Sequence, residues 1–316
     1  MKLMRKRRQV PADHPAFAGL PVQMITLSDG ATRAAVHVRG KLGRGRMPVV
    51  CLAGYHRNMS DFTDFATAFQ RLSGGDWPLV LIDLPGRGRG DDRPAGTAYG
   101  SLSDARDTAD ILAALGTGPI VLVGQGHGGQ VAMALAAAHP LLIGGTVLLD
   151  AGPVTDSRGL VRLRNNLAHV ESLRGSKAVT AGFRRILGAD YPGHSDEALD
   201  ELAHRSHWFD KRNRPRPLFD RRLIEAISGF RFDDVLVPQW RLFDALSCAP
   251  LMLMRTQLTD QVRRETFDEM VRRRPDATAL TLSGQGSPAL FDQQDEIEAV
   301  AGFVFAVNAD RAGKAA

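Results

Sequence analysis

Short apolar runs bounded by glycine or proline alternate with amphipathic segments along most of the chain. This alternation predicts buried strands separated by helices, the pattern of a parallel sheet covered on both faces. Two strands precede it, around the turn residues Asp29 and Gly30. The predicted strands span residues 22–28, 32–39, 48–54, 78–86, 119–124, 145–150, 250–256 and 277–283, and the predicted helices span 61–73, 103–115, 128–139, 261–273 and 293–307.

The alternation stops between about Thr155 and Ser247, where the sequence is rich in arginine and shows helical segments but no convincing strand. We interpret residues 155–247 as a helical cap inserted between the sixth and seventh strands of one sheet. Residues 1–154 and 248–316 then form the core domain. The last residues, 310–316, are predicted to be a frayed tail.

The composition is that of an ordinary globular protein. The 316 residues are 44% hydrophobic and 24% charged, which excludes a wholly disordered chain. No apolar run approaches the ~18 residues that a membrane-spanning helix needs, and the basic start has no apolar segment behind it, unlike a secretory signal. Cys51 and Cys248 lie far apart in the sequence and indicate no disulfide framework. A reducing, cytoplasmic location is expected.

The formal net charge of +5 comes mainly from two basic stretches, residues 2–8 and 211–222. Neither stretch has the interleaved aromatic residues of a single-strand binder or the pattern of a helix-turn-helix or zinc finger. Nucleic acid is therefore not an expected partner. We expect both stretches to be solvated surface, with an anion-attracting rim as the alternative.

The most informative segment is residues 120–140, where a buried strand, a glycine turn and a helix follow one another. Gly124, Gly126 and Gly129 satisfy the G-x-G-x-x-G pattern of dinucleotide-binding proteins. Asp150 ends the next strand, where the acid that binds the ribose would lie. The same segment fits the nucleophile elbow, G-x-S-x-G, in which a strained turn presents a serine above the sheet. Its serine position is occupied by Gly126.

Six segments carry recognisable motifs: LAGYHRN at 52–58, DLPGRGRGD at 83–91, LVGQGHGG at 122–129, LLDAGP at 148–153, RTQLTD at 255–260 and LSGQGS at 282–287. In this order they resemble the oxyanion loop, the turn after the fourth strand, the nucleophile elbow, the strand leading into the cap, the acid loop and the histidine loop of the α/β-hydrolase family, in particular capped bacterial members. The resemblance implies an eight-stranded, mostly parallel sheet flanked by helices. A dinucleotide-binding protein would leave all but the elbow unexplained.

The resemblance places the family's three catalytic positions on Gly126 (nucleophile), Asp260 (acid) and Ser287 (histidine). Gly126 has no side chain with which to attack, and Ser287 is no base near neutral pH, so only Asp260 keeps its residue type. Glycine also relieves the backbone strain of the elbow, on the order of 1–3 kcal/mol. Ordinary serine hydrolysis is therefore not expected.

The resemblance leaves a pocket in place. The backbone N–H groups of Tyr55 and His127 are expected to point at the oxyanion position, below an apolar pocket that the cap covers. His56 and Gln125 belong to the same pocket by motif position.

Several neighbouring residues are interpreted as structural. His204 and His207 have the H-x-x-H spacing of a metal pair but no third ligand pattern, so we place them on the surface. No metal or cofactor is expected. The structural interpretation also applies to Asp83, Asp91, Asp150, Trp208 and Trp240.

The leading hypothesis is a pseudo-hydrolase that binds a small apolar or ester-like ligand, or a partner protein. The second hypothesis is a non-hydrolytic enzyme of this fold, such as a lyase, cyclase or cofactor-free oxygenase, that uses the oxyanion hole with His127 or Asp260 as base. An esterase with Ser287 as nucleophile and a dinucleotide-binding protein are further alternatives. Homo- and hetero-oligomers are both compatible with the sequence.

Overall fold

The computed structural model describes residues 8–43 and 45–315. Its strands are β1 (Gln23–Thr26), β2 (Arg33–Arg39), β3 (Val49–Leu52), β4 (Leu79–Asp83), β5 (Ile120–Gln125), β6 (Ile143–Leu149), β7 (His207–Phe209), β8 (Pro215–Pro217), β9 (Leu251–Thr256) and β10 (Thr278–Leu282). Eight of them form one sheet in the order β1-β2-β4-β3-β5-β6-β9-β10. Only the two pairings of β2 in this sheet are antiparallel. The predicted α/β-hydrolase fold is confirmed.

The α-helices are α1 (Thr63–Leu72), α2 (Ser101–Leu115), α3 (His127–Ala138), α4 (Ser157–Ser172), α5 (Ser176–Asp190), α6 (Asp196–His204), α7 (Arg222–Glu225), α8 (Trp240–Asp244), α9 (Arg264–Arg273) and α10 (Gln294–Ala315). Within the described ranges, no helix combines the length and the apolarity needed to cross a membrane.

Two hydrophobic cores lie on opposite faces of the sheet. Along β3, Val49 and Cys51 belong to one core, and Val50 and Leu52 belong to the other. Helices α1 and α10 close the first core, and α2, α3 and α9 close the second. Because the central strands are buried on both sides, they have no polar face, which explains their continuous apolar runs.

The sheet order also decides between the two interpretations of the glycine turn. A dinucleotide-binding sheet of the Rossmann type has the order 3-2-1-4-5-6. Here β5 lies between β3 and β6, and an antiparallel β2 lies between β1 and β4. The sheet is therefore not of the Rossmann type that the dinucleotide interpretation requires.

The segment between β6 and β9 contains α4 to α8 and also a short antiparallel sheet of β7 and β8. The expectation that this segment contains no strand is wrong at these two elements. Each is only three residues long, and Pro215 and Pro217 bound the second strand. Such strands are too short to show an alternating pattern. We keep residues 155–247 as the proposed extent of the cap.

The end of the chain differs from the prediction. The expected frayed tail is wrong for residues 310–315, which continue α10, while Ala316 lies outside the described residues. Val304 and Val307 anchor this helix in the core, and the alanine and charged residues beyond them favour helix.

The basic stretches form ion pairs at several of the residues that the structure describes. Residues 2–7 lie outside the described residues, but Arg8 binds the carbonyl oxygens of Gly86 and Gly90 and pairs with Asp92. In the second stretch, ion pairs join Arg214 and Arg216 to Asp210, Arg221 to Glu171, and Arg222 to Asp220. Most of this charge is compensated locally.

Candidate functional site

The turn from β5 to α3 has the backbone geometry of a nucleophile elbow. Gly126 lies at φ 50° and ψ −111°, a region that glycine enters at little cost. Its N–H donates a hydrogen bond to the carbonyl oxygen of Leu149, 2.8 Å away. A Cβ atom on Gly126 would meet only the Cα of Gly54, at 3.9 Å. The position therefore has room for a side chain that the sequence does not supply.

The other glycines of the turn serve close packing. A Cβ on Gly128 would lie 2.1 Å from the carbonyl oxygen of Leu52, and one on Gly129 would lie 2.3 Å from the Cβ of Ala151. Helix α3 therefore approaches β3 and β6 too closely for any larger residue. A Cβ on Gly124 would likewise lie 2.6 Å from backbone atoms of Gly128, so packing accounts for Gly124 and Gly129 of the G-x-G-x-x-G match without a phosphate ligand.

A cavity of about 140 Å³ lies above the elbow. Its roof consists of apolar side chains from α4 and α5, among them Leu163, Leu167, Phe183 and Ile186. All seven residues named from the sequence line it: Tyr55, His56, Gln125, Gly126, His127, Asp260 and Ser287. The sequence motifs are thus brought together at one place.

Two backbone amides at this cavity are free. Within the described part of the chain, neither the N–H of Tyr55 nor that of His127 has a hydrogen-bond partner. The N–H of His127 is free because His127 is the first residue of α3. A helix N-terminus and a loop amide at one cavity favour a ligand oxygen with partial negative charge.

Gln125 and His56 have different environments. The Gln125 side chain is buried and donates a hydrogen bond from Nε2 to the carbonyl oxygen of Ala289, at 2.9 Å. Its Oε1 has no partner in the ranges that the structure describes. The His56 ring packs edge-on against Phe219, and burial, with the nearby Arg57 charge, lowers its pKa well below the usual value. His56 is therefore a neutral imidazole at neutral pH.

Asp260 is engaged by the cap. Its carboxylate pairs with the guanidinium of Arg162 on α4 and accepts a hydrogen bond from Nε2 of Gln261, at 2.9 Å. The same guanidinium binds Asp190, at 2.8 Å. The carboxylate expected at the acid position is thus tied to α4.

Asp150 interacts with the residue at the histidine position. It follows β6 at φ 48°, a conformation that is unusual for a non-glycine residue. Its carboxyl group accepts hydrogen bonds from the N–H and Oγ1 of Thr256, at 2.8 and 2.7 Å, and also interacts with the Ser287 hydroxyl. Burial raises its pKa to about 6. The purely structural interpretation of Asp150 thus misses its interaction with Ser287. The only signal of this in the sequence is that an acid directly follows a buried strand.

Sequence reasoning also missed Asp104 of α2. Its Oδ2 lies 2.7 Å from Nε2 of His127, and it pairs with Arg87 and Arg93 at 3.0 and 2.7 Å. Burial alone would raise the pKa of this carboxyl group, but Arg87, His127 and Arg93 together hold it well below its usual range. Edge-on contact with Tyr55, at a ring distance of 5.2 Å, completes the surroundings of His127.

His207 contradicts the surface interpretation, whereas His204 is exposed as expected. The His207 side chain is buried between Phe183 and Phe219, and its Nδ1 lies 2.9 Å from Ser206 Oγ. Burial lowers its pKa to about 3. The reason is local: His207 begins β7 and faces the cavity, while His204 ends α6.

The remaining polar and aromatic residues hold the framework. Asp83 accepts hydrogen bonds from the N–H groups of Met59 and Arg89, at 2.7 and 2.9 Å, and so ties two loops together. Asp91 pairs with Arg33. Neither Trp208 nor Trp240 lines the 140 Å³ cavity. Among the described residues, no group of three or more His, Cys, Asp or Glu is placed to hold a metal ion.

A buried glutamate supports the loop that carries Ser287. Glu296 accepts a hydrogen bond from Nε2 of Gln285, at 2.6 Å, and Oε1 of Gln285 accepts one from the N–H of Leu290, at 2.9 Å. Burial, with Asp292 and Asp295 nearby, raises the pKa of Glu296 to about 7. The loop is therefore held by a carboxyl group that titrates near neutral pH.

Glu296→Gln is expected to remove a pH dependence of stability. Since the pKa in the folded state exceeds that of the unfolded chain, this group stabilises the fold at low pH, and the contribution is lost as pH rises through about 7. Between pH 5 and pH 8, the free energy of unfolding of the variant should rise by roughly 1–3 kcal/mol relative to that of the wild type. Urea unfolding at both pH values measures this difference, with Glu298→Gln on the exposed face of the same helix as control. Equal pH slopes for Glu296→Gln and the wild type would contradict the assignment.

Residues 49–300 match the profile of the alpha/beta hydrolase family. An esterase of Mycobacterium tuberculosis is 29% identical over 203 residues, which cover 62% of this chain and 63% of the esterase. A 2-hydroxy-6-oxononadienedioate/2-hydroxy-6-oxononatrienedioate hydrolase of Burkholderia vietnamiensis is 30% identical over 130 residues, 40% of this chain and 44% of that enzyme. This chain thus spans less than half the length of that relative. The crystal structure of an alpha/beta hydrolase from Novosphingobium aromaticivorans is 29% identical and superposes with a TM-score of 0.77 over 90% of this chain and 98% of that one.

Proposed function

This chain belongs to the α/β-hydrolase family, and we propose that it binds a small organic ligand non-covalently and does not perform serine hydrolysis. The observation that carries the proposal is the elbow at Gly126, which keeps the strained backbone and an open space above it but has no hydroxyl group. The residue at the histidine position, Ser287, interacts with a carboxyl group and not with an imidazole. Serine hydrolysis needs both missing groups.

The cavity supports a ligand with an apolar body and one polar oxygen. Its volume of about 140 Å³ is close to that of the ~150 Å³ cavities that bind benzene. Apolar side chains of α4 and α5 cover one side, and the free amides of Tyr55 and His127 lie on the other. An ester or a ketone of the size of a substituted benzene fits this description, and the chemistry requires no cofactor. The free thiols of Cys51 and Cys248 agree with the proposed cytoplasmic location.

Binding is expected to depend on the roof of the cavity. Leu167→Trp places a large ring in the space above the elbow and should weaken the binding of methyl benzoate at least about tenfold. Leu141→Trp, at a position that is 87% exposed, is the matched control and should leave binding unchanged. Saturation-transfer NMR titrations measure both. Equal affinities in the two variants would show that the ligand does not occupy this cavity.

The wild type is expected to remain unlabelled by serine-directed fluorophosphonates and to show no burst with activated esters. Gly126 offers no nucleophile, and the hydroxyl of Ser287 has a carboxyl group beside it in place of a base. Intact-mass spectrometry measures the labelling. Stoichiometric labelling of one residue, located by peptide mapping, would overturn the proposal and identify the nucleophile.

A further inference from the structure

His127 and Asp104 form a buried imidazole–carboxylate pair beside the elbow. The atoms His127 Nε2 and Asp104 Oδ2 are 2.7 Å apart. A carboxylate oxygen only accepts hydrogen bonds, so the proton of this bond sits on Nε2. In the neutral ring the other nitrogen, Nδ1, then carries the lone pair, and it has no hydrogen-bond partner in residues 8–43 and 45–315.

Asp104 is held in its ionised form, which the hydrogen bond to Nε2–H of His127 needs. It is fully buried, and the guanidinium groups of Arg87 and Arg93 lie 3.0 and 2.7 Å from its oxygens. Two fixed positive charges keep the carboxylate ionised. An ionised carboxylate at Nε2 orients the ring and stabilises the imidazolium that forms when Nδ1 accepts a proton.

The position of His127 gives a ligand access to it. Gly126 and His127 line the 140 Å³ cavity and also a second cavity of about 290 Å³ between α2 and the segment 226–236. Tyr55 lines both as well. A Cβ atom on Gly126 would have only the Cα of Gly54 within 4 Å, so little protein fills the space above this shared residue. A ligand in either cavity can therefore contact the residues that line both, Tyr55 and His127 among them.

We propose that His127, positioned by Asp104, is a general base that removes a proton from the carbon next to the carbonyl group of a bound ketone or ester. The inference rests on the proposed binding of a carbonyl ligand. It adds to that binding a catalytic activity, cofactor-free enolisation.

The step transfers one proton and changes no oxidation state. The C–H bond beside the carbonyl breaks, and its electron pair forms the C=C bond of an enolate, while the C=O bond becomes a C–O⁻ bond. The N–H groups of Tyr55 and His127 donate to that oxygen. The proton goes to Nδ1 of His127, and the imidazolium keeps its Nε2–H hydrogen bond to the Asp104 carboxylate. Return of a proton to carbon or to oxygen completes an exchange or a tautomerisation.

Two other basic groups of the cavity, Asp260 and His207, lack this arrangement. Asp260 is occupied by Arg162 and Gln261. His207 binds a hydroxyl group, Ser206 Oγ, and has no carboxylate partner in the described residues. The sequence leaves both His127 and Asp260 open as the base, and these contacts favour His127.

Phenylacetone in D₂O tests the activity, because NMR follows the loss of its benzylic protons directly. The wild type is expected to accelerate this exchange, and His127→Gln is expected to slow it at least about a hundredfold. His139→Gln, at the other end of the same helix, is the matched control and should keep the wild-type rate. Saturation transfer to phenylacetone measures binding separately. Absence of binding would overturn the proposed function together with this inference, while binding with equal exchange in wild type and His127→Gln would overturn the inference alone.

Asp104 is a positioning residue, and its role has a readout that needs no ligand. Long-range ¹H–¹⁵N NMR of the wild type is expected to show His127 protonated at Nε2 and unprotonated at Nδ1. Asp104→Asn, whose side chain can donate as well as accept, should shift this tautomer population and slow exchange. Where that variant does not fold, the wild-type spectrum decides alone. A wild-type His127 protonated at Nδ1 would contradict the assignment.

Discussion

The double variant Gly126→Ser with Ser287→His is expected to hydrolyse activated esters at least about a hundredfold faster than either single variant. A hydroxyl group alone is a weak nucleophile, and a base alone has nothing to activate, so the members of a triad act only together. The space above Gly126 accommodates the new hydroxyl group, since only the Cα of Gly54 lies within 4 Å of a Cβ atom there. Both positions line the same cavity.

The acid that serves this restored pair is expected to be Asp150. It interacts with the residue at position 287, whereas Asp260 is paired with Arg162. Adding Asp150→Asn to the double variant should therefore lower its activity by about a hundredfold or more, and adding Asp260→Asn should change it by less than about threefold. The two asparagine variants are matched in chemistry and differ only in place. The opposite ranking would show that the acid is Asp260, as the sequence indicates.

Initial rates with 4-nitrophenyl esters and stoichiometric labelling by fluorophosphonates measure the restored activity. A double variant that folds, binds methyl benzoate and stays inactive would show that Gly126 and Ser287 do not occupy nucleophile and base positions.

The serine at position 126 is also expected to destabilise the fold by roughly 1–3 kcal/mol, because a non-glycine residue must adopt φ 50° there. Urea unfolding of the Gly126→Ser single variant measures that cost.

The fold could be predicted because its signals are local. A run such as residues 120–140 contains a buried strand, a glycine turn and a helix in immediate succession, and the structure has β5, Gly126 and α3 there. The glycines needed for close approach are part of the same short motif. The predicted ends of elements were less accurate where packing against distant residues sets the end, as for α10. An element as short as β7 was missed altogether.

The candidate site could be predicted only as far as motifs reach. Gly126 and Ser287 follow from their places in motifs, but the partners of these positions come from elsewhere in the chain. Asp104 lies on a different helix from His127, and Asp150 meets Thr256 across 106 residues of sequence. Such contacts depend on how elements pack, for which a single sequence carries no local signal. His207 was misplaced for the same reason, because only the packing of β7 against the cavity buries it.

Two alanine substitutions in the elbow are expected to differ widely in cost. Gly128→Ala should destabilise the fold by about 3 kcal/mol or more, or prevent folding, because its Cβ would lie 2.1 Å from the carbonyl oxygen of Leu52. Backbone atoms of β3 cannot move away without breaking the sheet beside the oxyanion loop. Gly126→Ala creates no such overlap and carries only the strain of its backbone conformation, roughly 1–3 kcal/mol.

Urea unfolding of the two variants, or the yield of soluble protein where Gly128→Ala does not fold, measures this difference. A Gly128→Ala variant as stable as the wild type would contradict the close packing of α3 on β3. The comparison separates two reasons for glycine within one turn. At position 128 the packing of the sheet excludes every side chain, whereas at position 126 the structure leaves space for one. The shape of the elbow is thus set by the packing at position 128 and does not depend on a side chain at position 126.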